Sequence, residues 1–222
     1  MTLYVIGTPI GNLQDITLRA LETLKNVDKI YCEDTRRTKI LLDAYHISKP
    51  IDSLHQHSSE TKLIKIAQEL GAGQDIAYLT DAGTPGISDP GGKLVEFCRA
   101  KGLSVVPIPG PSALTTLLSV AGIPTDSFWF AGFLPTKKGR QTQLKKILAF
   151  SDPVVLFETG PRIARLCREL TELGSGELHL IVGRELTKKF EEILTGTPAE
   201  ISAHFTAHKP LGEFVVCLAR QR

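Results

Sequence analysis

Leu79-Thr80-Asp81-Ala82-Gly83-Thr84-Pro85-Gly86-Ile87-Ser88-Asp89-Pro90-Gly91-Gly92 joins an apolar run to an amphipathic one. Ile76 to Leu79 reads as a buried strand, and Lys93-Leu94-Val95-Glu96-Phe97-Cys98 reads as the start of a helix. The stretch is therefore a strand-to-helix loop. It holds four glycines and two prolines in fourteen residues. Glycine permits positive φ and close backbone approach, while proline fixes φ and removes a donor, so such a loop is stiff and bare. Loops at the carboxyl ends of strands in open α/β sheets bind ligands, which makes this one the expected floor of a small-molecule site. The plainer alternative is a tight turn with Ser88 or Asp89 capping the helix.

Outward from that loop the pattern repeats. Residues 3 to 6 form a first strand, Gly7 to Asp15 a glycine turn, and Leu18, Leu21 and Leu24 one face of a helix. A second strand, Lys29 to Cys32, ends in Glu33-Asp34-Thr35-Arg36-Arg37 and leads into a helix with Ile40, Leu41 and Leu42. His55 to Glu60 opens a third helix whose apolar face carries Leu63, Ile64, Ile66, Ala67 and Leu70. After the central loop and its helix comes a strand at Leu103 to Val106. Four or five strand/helix alternations predict a mostly parallel sheet covered by helices. Pro107 to Ala113 is a second glycine- and proline-rich loop, and Ser112 starts a helix over Leu114 to Ala121.

Beyond Pro124 the strands crowd together. Phe128 to Phe133, Val154 to Glu158, Leu178 to Val182, Phe190 to Leu194 and Glu213 to Ala219 read as strands. Arg140 to Phe150, Arg162 to Leu173 and Pro198 to His204 read as helices, and Leu134 to Gly139 as a basic, exposed connector. This half predicts a mixed sheet. The expectation is two α/β domains, 1–112 and 113–222, with a parallel-rich N-terminal sheet, a mixed C-terminal sheet and a cleft between them.

Composition bounds the function. With 222 residues, 42% hydrophobic and 23% charged, the chain can build cores without staples. No apolar run approaches the length of a bilayer span, and the start lacks the basic region of a signal peptide, so the reading is a cytoplasmic protein with no membrane partner. Cys32, Cys98, Cys167 and Cys217 are widely spaced, which favours buried thiols over a disulfide frame or zinc site. The net charge of +2 does not prove a nucleic-acid partner, although Lys137, Lys138, Arg140, Lys145 and Lys146 cluster.

Three constellations stand out. Gly7-x-x-x-Gly11 with Glu33 resembles a dinucleotide fingerprint but lacks the required glycines, since Pro9 and Asn12 stand in their places. Asn12, Asp15, Glu33, Asp34, Arg36, Arg37, His55 and His57 fall at strand ends, so in a parallel sheet they share one edge. The two histidines lack a third ligand at metal spacing, and no metal is expected. Arg184-Glu185-Leu186-Thr187-Lys188-Lys189 follows a strand and is either a solvated charge run or part of a site.

Together, Val5 to Leu13, Glu33-Asp34-Thr35-Arg36, Asp81 to Pro85, Asp89-Pro90-Gly91, Pro109 to Ala113 and Arg184 to Lys188 closely resemble the ribosomal RNA small subunit methyltransferase I family, within the tetrapyrrole methylase superfamily. The resemblance runs from residue 3 to about residue 220. It implies an S-adenosylmethionine-dependent enzyme that methylates the ribose 2′-hydroxyl of a cytidine in 16S rRNA of the small ribosomal subunit, acting as a homodimer. It further implies that Asp81, Ala82, Gly83, Thr84, Ile87, Ser88, Ser112, Ala113, Phe157, Glu158 and Leu186 contact the cofactor. Asn12, Arg36, Arg37, His57, Lys137, Lys138 and Arg140 fall to the RNA. Two departures are visible: the family's H-x-H-N segment reads His55-Gln56-His57-Ser58 here, and the family's helical tail after the last strand is not within residues 1–222.

Transfer of a methyl group to a hydroxyl needs alignment and a proton acceptor. Alignment can supply about 7–11 kcal/mol, a positioned base roughly 10²–10⁴-fold. Glu33 and Asp34 are the candidate bases, with Asp15 and Asp89 in reserve; the plainer reading makes them braces for the neighbouring arginines. A tetrapyrrole C-methyltransferase and a non-catalytic RNA- or cofactor-binding module are the rival functions.

Overall fold

The computed structural model describes residues 1–55, 58–174, 178–207 and 210–220. The chain divides into two compact units, Met1–Ser112 and Ala113–Arg222.

In the first unit, strands β1 (Thr2–Ile6), β2 (Lys29–Cys32), β3 (Ile51–Ser53), β4 (Ile76–Leu79) and β5 (Ser104–Ile108) alternate with helices α1 (Leu18–Asn26), α2 (Thr35–Ala44), α3 (Glu60–Gly71) and α4 (Gly92–Ala100). The strands stand in the order β3-β2-β4-β1-β5, and every pairing is parallel. Successive side chains leave a strand on opposite faces, and the core divides accordingly. Ile6, Ile30, Ala77 and Leu79 pack with Ala20 and Leu24 of α1 and Leu41 and Leu42 of α2. Leu3, Tyr31, Ile76 and Tyr78 pack on the other face with Ile66 and Leu70 of α3 and Leu94 and Cys98 of α4. The connection leaving β1 leads to β2, while the one leaving β4 leads over β1 to β5. Adjacent β1 and β4 thus send their chains in opposite directions, which creates a topological switch point between their carboxyl ends.

The second unit starts with α5 (Ala113–Leu118) and continues through β6 (Trp129–Phe133), α6 (Arg140–Leu148), β7 (Val154–Thr159), α7 (Gly160–Glu172), β8 (Leu178–Arg184), β9 (Glu192–Gly196), α8 (Pro198–Ala207) and β10 (Glu213–Arg220). Its sheet runs β6-β7-β10-β8-β9, parallel between β6 and β7 and antiparallel elsewhere. Leu144, Ile147, Ile163, Leu166, Ile201 and Phe205 from its three longer helices pack with Val154, Leu156, Leu180, Val182, Phe214 and Val216 in one core. The architecture is therefore two α/β sheets, one wholly parallel and one mixed, as the alternation of patterns predicts.

Several boundaries differ from the sequence reading. β3 was not anticipated, because three residues are too few to display a period. β5 runs on through Pro107 to Ile108, which the missing donor permits because β5 is an edge strand. The strand expected at Phe190 to Leu194 begins only at Glu192, since the chain leaving β8 first makes a turn with left-handed Glu185 (φ 48°) and Thr187 (φ 67°). The helix after Ser112 stops at Leu118 rather than Ala121. Among the described residues, no helix is long and apolar enough to cross a membrane.

Candidate active site

The switch point gathers three loops of the first unit. Thr8 and Gly83 form an antiparallel bridge, with Thr8 N donating to Gly83 O at 2.9 Å and Gly83 N to Thr8 O at 3.0 Å. Gly7 N donates to Ile108 O at 3.0 Å. A Cβ added at Gly110 would lie 2.6 Å from Gly7 O and 2.8 Å from Gly7 Cα, so the loops after β1 and β5 touch backbone to backbone. No side chain fits at either position.

The Asp81 to Gly92 loop is held in left-handed turns, with Gly83 at φ 77°, Gly86 at 85° and Gly91 at 128°. Ser88 adopts φ 60° without being glycine, a conformation uncommon for residues with a Cβ. Ile87 beside it is 42% exposed. A rigid main-chain cradle with an uncovered apolar side chain suits a nucleoside bearing a charged tail. Gly83, Thr84, Ile87 and Ser88 would line that cradle, with Ser112 following Gly110 on the neighbouring loop. The residues present therefore fit a bound S-adenosylmethionine in kind.

The loop after β2 is tied to the same place. Asp34 N donates to Asp81 Oδ1 at 3.1 Å, and Arg37 Nε lies 3.4 Å from Asp81 Oδ2. Asp34 also caps α2, its Oδ1 accepting from Arg36 N at 2.8 Å, and pairs with the Arg36 guanidinium at 2.6 Å. The Arg36 hydrogen bonds pull the Asp34 carboxyl down to about 2. Glu33 behaves oppositely: burial, with the Asp81 charge beside it, raises its carboxyl above the ordinary range. A pocket of about 110 Å³ opens here, lined by Thr8, Pro9, Leu13, Arg37, Ile40 and Asp81 among others. It has room for a ring or a sugar rather than a whole cofactor, whose pockets run to about 300 Å³ or more.

Asn12 caps the 3₁₀ turn Leu13–Asp15, its Oδ1 accepting from Gln14 N at 3.1 Å. Asp15 keeps one carboxylate oxygen buried without a hydrogen-bond partner. His57 lies outside the described residues. Among the described residues, no group of three His, Cys, Asp or Glu side chains could hold a metal ion.

In the second unit, Ala113 opens α5, and Lys137 and Lys138 are exposed in the connector between β6 and α6. Phe157 stacks edge-on with Phe130 and Phe133 at centroid distances of 5.0 and 5.5 Å. Leu186 is buried against Gly183.

Two of the expected site residues turn their side chains inward. Arg140, expected at a phosphate, is 1% exposed, with Nε 2.7 Å from Glu169 and NH1 3.6 Å from Glu158. Its charge is consumed inside the unit. Glu158, expected at the cofactor, is likewise 1% exposed and accepts from Arg162 Nε at 3.0 Å. Glu158 follows Phe157 on β7, so the pleat sends the two side chains to opposite faces, and the Glu158 carboxylate belongs to the helix side.

The sequence reading missed Thr8, Thr38 and Thr80, three buried hydroxyl residues at the pocket. Thr8-Pro9 inside the first glycine loop was the available signal for one of them; the others read as ordinary strand-end and helix positions.

A doubly wound parallel sheet with a glycine cradle at its switch point, followed by a mixed sheet, defines a class, and residues 2–202 match the model of the tetrapyrrole (corrin/porphyrin) methylases. Similar folds occur in a cobalt precorrin-4 methyltransferase (TM-score 0.72, 16% identity, 98% of this chain and 94% of that one) and in diphthine synthase (TM-score 0.75, 16% identity, 98% and 89%). The chain is 46% identical to the ribosomal RNA small subunit methyltransferase I of Mesorhizobium japonicum, over 97% of this chain and 74% of that protein. It is 44% identical to the enzyme of that name from Thermotoga maritima, over 98% of this chain and 97% of that protein. The chain belongs to the ribosomal RNA small subunit methyltransferase I family.

Proposed function

We propose that this protein transfers a methyl group from S-adenosylmethionine to the ribose 2′-hydroxyl of a cytidine in 16S rRNA, within the small ribosomal subunit in the cytoplasm, and that it acts as a homodimer. The relatives' shared name supports the RNA substrate. The observation that carries the chemistry is the tie of the loop after β2 to the loop after β4, Asp34 N donating to Asp81 Oδ1 at 3.1 Å, which brings Glu33 and its raised carboxyl beside the switch point.

S-adenosylmethionine supplies an electrophilic methyl on a sulfonium. The chain's own residues then have two tasks. Gly83, Thr84, Ile87, Ser88 and Ser112 orient the donor through a backbone that cannot relax, because Gly7 and Gly110 are in contact. Glu33 accepts the hydroxyl proton. A base serves best when its pKa approaches working pH, so Glu33 is better suited than Asp34, which Arg36 has made a weak acceptor. Arg36 and Arg37 are exposed at the start of α2, where a flanking phosphate could be held. Lys137 and Lys138 provide further phosphate contacts.

The test is labelled methyl transfer from S-adenosylmethionine to unmodified small subunits, with the product mapped to its nucleotide and to base or sugar. Label on a cytidine ribose supports the reading. Label on a base, or none, rejects it.

A further inference from the structure

Leu134 to Gly139 joins β6 to α6 and presents the exposed Lys137 and Lys138. Loop carbonyls without a ladder must find donors. Here three successive ones are taken by three arginines: Arg162 NH2 donates to Leu134 O at 2.5 Å, Arg140 NH1 to Pro135 O at 3.3 Å, and Arg165 NH1 to Thr136 O at 3.1 Å. Each arginine turns its Nε to a carboxylate. Arg162 Nε meets Glu158 at 3.0 Å, while Arg140 and Arg165 meet the two oxygens of Glu169 at 2.7 and 2.9 Å. Both carboxylates are buried. On the far side of the lysines, Gly139 takes a left-handed φ of 86° and α6 begins at Arg140.

A buried ion-pair network of this size is weak grounds for stability, because desolvation offsets much of the attraction. Its geometry serves another end. Each guanidinium gives one N–H to the backbone immediately before Lys137 and Lys138, and α6 begins immediately after them, so the segment that carries the two ammonium groups is held on both sides. Holding a loop in its bound form lowers the ordering cost of association.

We infer that Arg140, Arg162 and Arg165, locked by Glu158 and Glu169, are positioning residues that set Lys137 and Lys138 as a preformed clasp for the RNA backbone. The inference rests on the proposed RNA substrate. It assigns the three arginines an effect on RNA binding through the loop, with no contact of their own.

Arg165 is the most exposed of the three, with 48% of its side chain accessible, so its replacement leaves the core intact. Arg165→Ala should raise KM for small subunits about five- to tenfold, on the order of the net worth of the one hydrogen bond that holds the loop at Thr136 O. It should leave kcat and KM for S-adenosylmethionine within about twofold, since the change is confined to RNA association. The slope of log KM against log salt should flatten toward that of a Lys137→Ala/Lys138→Ala double variant. Arg165→Lys should be as impaired as Arg165→Ala, because an ammonium lacks the fork that reaches carboxylate and carbonyl together. Adding Arg165→Ala to the double lysine variant should cost nothing more. An unchanged KM in Arg165→Ala, wild-type KM in Arg165→Lys, or a full additive loss in the triple variant overturns the inference. So does an equal rise in both KM values with a lowered Tm, which is the signature of general damage. If the wild-type enzyme methylates no ribosomal RNA, the proposed function itself has failed, a result separable from all of these.

Discussion

At the scale of single residues, neighbouring carboxylates have been given opposite properties. Asp34 is fixed by a helix cap and an arginine, whereas at Glu33 burial and the Asp81 charge outweigh Arg37. The sign of the Glu33 shift has a consequence for stability. A folded-state pKa raised above the unfolded value means that the native state binds more protons in that window, so stability falls as pH rises through it. Above that window, where Glu33 is ionised, its charge is therefore a cost. Glu33→Gln should lower kcat by about 100-fold or more while leaving Tm unchanged or up to about 3 °C higher. Asp34→Asn retains a good capping residue and should keep kcat within about threefold. Steady-state assays and thermal melts on the two variants decide the matter: equal activity losses would make the pair a brace, and a lowered Tm in Glu33→Gln would contradict the sign.

At the scale of elements, the contact between the loops after β1 and β5 is the tightest feature of the site. A methyl group at Gly110 would meet Gly7 backbone at under 3 Å, and backbone cannot rotate aside as a side chain can. Gly110→Ala should destabilise the protein by about 2 kcal/mol or more, the usual effect of overpacking. It should also weaken S-adenosylmethionine binding, because Ser112 is two residues away. Denaturant titration and calorimetric binding would show both effects. A variant with wild-type stability and affinity would mean that the loops part freely, and would remove alignment as their role. The glycines of these loops were legible in the sequence, since only a residue without a Cβ explains such density. The partner each one meets was not: Gly7 and Gly110 are far apart in the chain, and no local pattern pairs them.

For the whole molecule, several paired ionic groups set the pH range of stability. In the first unit, burial pushes Asp52 up, but Lys62 and Lys29 outweigh it and the carboxyl ends below its ordinary value. In the second, Glu185 is likewise lowered overall, the Lys188 and Glu213 N–H hydrogen bonds overcoming burial. Lowered carboxyls contribute stability that is present above the unfolded pKa and lost as pH falls through the folded one. Lys29 and Lys188 are raised overall by their carboxylate partners against burial, and that contribution is lost as pH rises through their folded values. Stability should thus be greatest between about pH 5 and pH 8 and fall at both ends, the alkaline fall steepened by Cys98, Cys167 and Cys217, whose thiols burial holds above their ordinary value. Melting temperatures across that range provide the check; a maximum below pH 4 would contradict the assignments.

Strand periodicity, glycine-dense loops and helix caps are properties of neighbours along the chain, and the sequence alone determined them: a parallel half, a mixed half, and stiff loops at the strand ends. Six motifs in register were enough for family resemblance. Only the tertiary structure decided that β1 and β4 lie side by side, so that Thr8 bonds Gly83, and that Asp81 braces Asp34 and Arg37. It also decided that Arg140 turns inward to two carboxylates while Lys137 and Lys138 remain in solvent. These outcomes depend on strand order and on partners distant in sequence. Local propensity carries no record of either, and an arginine in a basic run looks the same whether its counter-charge is water or a glutamate nearly thirty residues away.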